Sequence, residues 1–214
     1  MEKYERQYPM ASTWEIIYHI LRDDIISCRL LPGEKLKEEE YSVRFGCSRT
    51  TIRRSFEALL HENLLERQGG QSLRVVSLNI LEQKEIMEVR LILEPSAARL
   101  AARSRTRRDL MTLESFLPLR PMNDRETLLQ NDVMFHKAIF SATHNQHLIR
   151  LYQSLEDEIS RSKQYTADDF MEFSAHVYDE HRRIFEAVCQ GNENQAFKLS
   201  QLHVKMMLDS QLFQ

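Results

Sequence analysis

Glycine and proline are both scarce, with five of each in a chain of 214 residues. Glycine supplies the positive φ of tight turns and proline punctuates loops, so a chain poor in both is expected to be mainly helical with few hairpins. Neither G-x-G-x-x-G nor G-x-x-x-x-G-K-[ST] occurs, which excludes the common dinucleotide and P-loop phosphate cradles. No apolar run approaches the ~18 residues that a bilayer-spanning helix needs, so no membrane association is expected. The first ten residues, MEKYERQYPM, lack the basic-then-apolar order of a signal peptide. Cysteine is limited to Cys28, Cys47 and Cys189, an odd number with no C-x-x-C spacing. A reduced cytoplasmic protein without disulfides or a cysteine metal knuckle is the expectation. The formal net charge of −3 gives no whole-chain pull toward nucleic acid.

What is present divides the chain in two. Gly33, Gly46, Gly69 and Gly70 fall in the first 70 residues, and the fifth glycine is Gly191. Residues 1–10 read as a tail. From 11 to 77, Ser12 or Thr13 caps a helix that carries Ile16, Ile17, Ile20, Leu21 and Ile25 at helical spacing, stopped by Leu31-Pro32-Gly33. A short helix over about 38–44 ends at the turn Phe45-Gly46-Cys47. Ser48 caps a second helix, to about Glu62, with Ile52, Phe56, Leu59 and Leu60 on one face. Leu64 to Arg67 and Leu73 to Val76, around Gly69-Gly70, read as a hairpin. Three helices, a glycine turn between the last two and a hairpin make a winged helix-turn-helix. From 80 to 214 the period is helical, with helices predicted near 81–103 (perturbed at Pro95), 107–117, 124–142, 146–164, 168–190 and 193–212. Pro118 and Pro121 mark one connection there, and Gly191-Asn192 another.

Charge is focused where a DNA-reading element needs it. Residues 11–76 hold ten Lys/Arg and ten Asp/Glu, yet within 41–56 Arg44, Arg49, Arg53 and Arg54 stand without an acid. Ser48, Thr50 and Thr51 add short hydroxyl donors at a helix N-terminus, itself favourable to phosphate. Arginine bonds guanine bidentately in the major groove. A solvated Arg-rich face is the plainer account of the cluster alone; the turn before it and the hairpin after it favour double-stranded DNA.

These residues resemble a known family. P-G-E-K-L at 32–36, F-G-C-S-R-T-T-I-R-R at 45–54 and the hairpin are similar to the GntR family of bacterial transcription regulators, over about residues 14–76. The resemblance implies that Ser48, Arg49, Thr50, Thr51 and Arg53 touch DNA, with Gly69-Gly70 at a wing tip near the minor groove. Departures from the family pattern are Cys28 for Gly, Tyr41-Ser42 for Leu-Ala, Arg54 for Glu and Asn63 for Gly.

The eight histidines separate by their helical neighbours three and four residues away. His136 has Val133, Ile139 and Phe140; His181 has Val177, Tyr178, Ile184 and Phe185; His203 has Leu199, Met206 and Met207. These three are expected to face inward. His176 and His19 sit among charged neighbours and read as solvated, His61 ends the recognition helix, and His144 and His147 flank a loop. Asp132 and His136, four apart, project together. One carboxylate and three imidazoles inside a bundle suit Zn²⁺, Ni²⁺ or Mn²⁺. Hydrogen-bonded core histidines are the other account of the same spacing.

A second resemblance bears on this choice. R-L-I-L-E-P-S-A-A-R-L-A-A at 90–102, N-D-V-M-F-H at 131–136, E-H-R-R-I-F-E-A-V-x-x-G-N-x-x-x-A from Glu180, and L-H at 202–203 are similar to the FCD effector domain of the FadR-like GntR subfamily. It implies an all-helical antiparallel bundle of six or seven helices over residues 80–214, a metal held by Asp132, His136, His181 and His203, and a small organic acid bound beside it. Arg90 reads either as a clamp for the acid's carboxylate or as an i,i+4 partner of Glu94. The function so implied is a ligand-responsive repressor or activator that binds a palindromic operator as a homodimer. Two other readings remain at this stage: a metal-dependent enzyme acting on a small carboxylate, and a regulator that senses the cation itself.

Overall fold

The structure, a computed structural model, describes residues 2–27, 29–69, 72–77, 80–117, 125–165 and 170–212. Cys28, Gly70, Pro118 and Pro121, all used in the sequence reading, lie outside the described residues. The chain divides into two compact units, residues 1–79 and 80–214.

The first unit runs α1 Glu2–Gln7, α2 Thr13–Ile26, β1 Lys35–Leu36, α3 Glu38–Phe45, α4 Arg49–His61, β2 Leu65–Gln68 and β3 Ser72–Val75. At the start of α2 the Ser12 backbone N–H and hydroxyl both donate to the Glu15 carboxylate, at 2.7 and 2.6 Å. Gly46, with φ of 63°, closes α3 in the left-handed conformation and lets the chain turn within three residues into α4. The Ser48 hydroxyl then accepts the Thr51 N–H at 3.1 Å as the cap of α4. Ile17, Leu21, Ile25, Ile52, Phe56 and Leu59 form the core under the wing residues Leu65, Leu73 and Val75. The sheet order is β1-β3-β2, all antiparallel, with Lys35 opposite Arg74 and Leu65 opposite Val75.

The N-terminal tail, His19 and the first strand differ from the sequence expectation. The tail over residues 1–10 contains a helix, because aromatic side chains anchor it: Tyr4 donates to Asp23 at 2.7 Å and the Tyr8 ring stacks on His19 at 4.1 Å. His19 is therefore half-buried rather than solvated. Strand β1, two residues long, is too short to produce a readable alternation. Asn63 has φ of 56°; asparagine is among the few residues other than glycine that accept this conformation.

The second unit comprises α5 Ile80–Ser104, α6 Arg107–Ser115, α7 Arg125–Ser141, α8 Gln146–Tyr165, α9 Phe170–Cys189 and α10 Glu193–Leu212. The helix α5 continues through Pro95, where a perturbation was expected. Proline removes one N–H and costs a helix interior ~3 kcal/mol, and the burial that follows outweighs it. Ala97, Ala98, Ala101 and Ala102 are fully buried, forming a small-residue stripe, and α10 packs along α5 with Ala196 and Leu199 in the same core. That core also holds Phe135, Phe140, Tyr152 and Ile184. Among the described residues no helix is long and apolar enough to cross a membrane.

Candidate DNA-reading face and metal centre

The sequence-predicted DNA contacts cluster around the N-terminus of α4. Arg44, Ser48, Arg49, Thr50, Arg53 and Arg54 are exposed, Thr51 is half-buried, and Gly69 is exposed at the end of β2 with φ of 61°. The arginines are not as isolated as the sequence suggested, because folding brings acids from other helices. Glu38, in the first turn of α3, accepts Arg53 Nε and Nη2, each at 2.8 Å, and lies 3.9 Å from Arg49 Nη2. Arg44 lies 3.6 Å from Asp24. Arg54 stacks its guanidinium over the Trp14 ring at 4.4 Å, which orients it against α2. Ser48 and Thr51 share a hydroxyl–hydroxyl bond of 2.8 Å besides the cap.

In the second unit, Asp132, His136, His181 and His203 are all buried, and each offers a ligand atom within 4.8 Å of the others. They come from three helices, α7, α9 and α10, so only the fold assembles them. His136 Nε2 lies 3.2 Å from both His181 Nε2 and His203 Nε2, and Asp132 Oδ1 lies 3.5 Å from His136 Nε2 and 3.3 Å from His181 Nε2. Donors bound to one cation at 2.0–2.1 Å in a tetrahedron sit about 3.3–3.4 Å apart, close to the 3.2–3.5 Å of these four pairs, and all four atoms lie within 4.8 Å of one another.

The outer contacts strengthen that fit. Glu94 Oε2 is 3.0 Å from His136 Nδ1, and Glu180 Oε2 is 2.6 Å from His203 Nδ1. At His203 the Glu180 carboxylate takes the proton-bearing nitrogen, which leaves Nε2 of that ring bare, while Glu94 lies beside His136 without hydrogen-bond geometry. Burial lowers the pKa of His203, more than the opposing pull of Glu180 raises it, so the ring is held neutral and able to act as a ligand. The arrangement could hold a metal ion. Sequence reasoning did not single out Glu180 as part of this centre, because it neighbours His181 on the helix and reads as a solvated charge.

Arg90 makes the i,i+4 pair with Glu94 that one of its two sequence readings expected. Its Nε donates to Glu94 at 2.6 Å in the i,i+4 pair, but that pair is buried, with side chains 1% and 2% exposed, rather than on a solvated face. Its Nη1 lies 3.3 Å from Met87 Sδ, while Nη2 has no partner among the described residues. The Tyr152 hydroxyl, on α8, is likewise buried without a partner. Burial and the charge of Glu94 push its pKa well above the usual phenol value, so it remains a proton donor. A cavity of ≈ 10 Å³, bordered by Asp132 and His181 and walled by Phe116, Leu117, Leu128 and Val177, adjoins the histidines.

Comparison with known proteins identifies both units by family. Residues 13–75 match the gntR family of bacterial regulatory proteins, and residues 85–206 match the FCD domain. The chain is 28% identical over 186 residues to the HTH-type transcriptional regulator YdhC of Bacillus subtilis, covering 84% of this chain and 82% of that protein. It is 30% identical over 192 residues to LutR, an HTH-type transcriptional regulator of the same organism, covering 78% and 86%. A crystal structure of a GntR transcriptional regulator from Rhodococcus sp. RHA1 superposes with a TM-score of 0.75 at 22% identity, over 94% of this chain and 98% of that one, and shares the fold. Family and relatives are regulators, which sets the metalloenzyme reading aside. A helix-turn-helix with a small wing, joined to a helical unit of this composition, belongs to the GntR family of ligand-responsive transcription regulators, in the group that carries an FCD effector domain.

Proposed function

We propose that the chain acts as a homodimer on a palindromic operator and responds to a small organic acid bound beside a divalent cation. In this reading residues 11–77 read DNA and residues 80–214 sense the acid and pair the subunits. Arg49 and Arg53 reach base edges or phosphates from α4. Arg44, Ser48, Thr50, Thr51 and Arg54 surround them, and Gly69 and Gly70 approach the minor groove. Two half-sites about one helical turn apart match such a dimer. Exposed Leu81 and Ile92 on α5, and Leu202 and Met206 on α10, supply apolar surface for a second copy.

Asp132, His136, His181 and His203 hold the cation, with Zn²⁺, Ni²⁺ and Mn²⁺ all suited to this donor set. The cation supplies a Lewis-acidic point for a carboxylate oxygen. Arg90 Nη2 and the Tyr152 hydroxyl, both buried with unspent donors, supply the hydrogen bonds that orient the acid. The cavity beside the histidines has room for about one water, so an acid of several carbons enters only as its walls part. That requirement couples binding to a change of packing, and the regulatory effect is bounded by the acid's differential affinity for the two states.

The observation that carries the reading is the convergence of three imidazole Nε2 atoms and one carboxylate, with the His203 ring held from behind by Glu180. Elemental analysis and native mass spectrometry of the purified protein test it. One transition-metal ion per chain, with a co-purifying carboxylic acid, is expected. Protein that neither carries nor takes up a stoichiometric divalent ion refutes the metal centre.

A further inference from the structure

Glu38 is the only acid that reaches Arg49 and Arg53 among the described residues' ion pairs of under 4 Å, and it does so from a different helix. Its side chain is 22% exposed, set into a cleft of ≈ 660 Å³ whose other charged walls are Lys35, Lys37, Glu39, Arg49, Arg53 and Arg67. Both of its oxygens are taken by Arg53 in a two-pronged pair, and Arg49 lies just beyond hydrogen-bond reach. The Arg53 hydrogen bonds hold the Glu38 carboxyl below the usual carboxylate range, so it stays ionised at neutral pH.

We propose that Glu38 is a specificity residue, which cancels the charge of Arg53 and part of that of Arg49 so that DNA lacking the right bases is bound poorly. This rests on the reading of α4 as the recognition helix. The physics is one of competition. A phosphodiester approaching the remaining face of Arg53 meets a neutral pair with an adjacent carboxylate rather than a free cation. A phosphate contact therefore gains little, whereas Arg49, held only loosely, keeps its donors for a base edge. Phosphate attraction is common to all DNA and base contact is not, so the carboxylate weakens non-specific binding more than specific binding.

The test compares wild type with Glu38→Gln on two probes, a 30-base-pair duplex of random sequence and the duplex that wild type selects from a randomised library. In Glu38→Gln the random duplex is expected to bind about tenfold more tightly at low salt, with the log affinity–log salt slope steeper by about one unit. The selected duplex gains less, so the ratio between the two falls. Glu38→Asp keeps the charge on a shorter stem, and is expected to keep the wild-type salt slope. In an Arg53→Gln background the effect of Glu38→Gln is expected to shrink, since its main partner is gone. Unchanged or weaker binding of the random duplex overturns the proposal, as does an undiminished effect without Arg53. If Arg49→Ala binds the selected duplex as tightly as wild type, the recognition-helix reading itself fails; if it binds weakly while Glu38→Gln changes nothing, only the role of Glu38 fails.

Discussion

Glu180→Gln separates a metal centre with an organised outer shell from a set of core histidines. The Glu180 carboxylate holds His203 Nδ1 at 2.6 Å, and His203 is 1% exposed, so water has little access to replace the contact from the ring side. The bond fixes the tautomer that turns a bare Nε2 toward His136, and its charge raises the donor strength of the ring. Loss of an outer carboxylate of this kind weakens metal affinity ~10–100-fold, or about 1.4–2.7 kcal/mol. Glu180 itself retains 19% exposure, and glutamine still offers an oxygen to Nδ1. Both soften the loss, so the lower half of that range, about 10–30-fold, is expected. The assay is competition against a chromophoric chelator at pH 7.5, for wild type, Glu180→Gln and His203→Ala, with thermal melting of each metal-free protein as the control. His203→Ala removes a ligand and is expected to fall below the chelator's range. Metal affinity of Glu180→Gln within threefold of wild type would refute the outer-shell argument, as would equal destabilisation of the metal-free and metal-loaded forms.

Three further outcomes follow from the same geometry. Arg49→Ala is expected to weaken operator binding and to relax preference at one base position by ~1–3 kcal/mol, read by binding to a panel of single-substitution duplexes; uniform loss at every position would make Arg49 a phosphate contact instead. Tyr152→Phe removes a buried, partnerless hydroxyl without changing the shape of its ring. It is expected to leave metal content intact and to weaken carboxylate binding by roughly tenfold or more, measured by calorimetry with a panel of two- to six-carbon acids on metal-loaded protein. Unaltered affinity for every acid that binds wild type would remove Tyr152 from the effector site. Gly191→Ala is expected to destabilise the helical unit by about 1–2 kcal/mol, mostly through its backbone conformation. Its φ of 70° costs an alanine ~1–2 kcal/mol. The new methyl would also sit 2.7 Å from Arg105 Nη2 and 2.9 Å from Nη1, the atoms that donate to the Cys189 and Ala102 carbonyls. A melting temperature within 2 °C of wild type would contradict this.

Much of the fold was legible because its signals are local. Helical periodicity gave α2 through α10 to within a few residues, and Ser48, Gly46 and Gly191 marked ends that depend on their own backbone chemistry. Asp132 and His136 were readable as a pair because four residues make one helical turn. His181 and His203 were readable only as inward-facing histidines; that their Nε2 atoms meet His136 depends on how α7, α9 and α10 pack. The strand β1 was missed because two residues carry no period, and α1 because its order comes from Tyr4 and Tyr8 finding partners on α2.

The residues hidden from the sequence are of one kind. Glu38 lies 15 positions before Arg53, and Glu180 lies 23 before His203. Glu94 is read as the helical neighbour of Arg90, yet it also lies 3.0 Å from His136 Nδ1 on another helix. Each is a carboxylate on a helix whose local neighbours describe it as solvated or merely paired, and each gains its role when a second helix arrives. The cost of burying a charge explains why such partners accompany the functional groups. A guanidinium that is 1% exposed, or an imidazole that must stay neutral with a chosen nitrogen bare, is stable only if a counter-charge or acceptor is supplied. The functional residues therefore announce themselves by type and spacing, while the groups that set their charge and orientation are determined by packing. Among the described residues, three buried donors have no hydrogen-bond partner, Arg90 Nη2, Arg99 Nε and the Tyr152 hydroxyl, and of these the Arg99 guanidinium is stacked over the Phe197 ring. In the proposed reading, Arg90 Nη2 and the Tyr152 hydroxyl take their acceptor from the bound acid, which is why the fold leaves both without one.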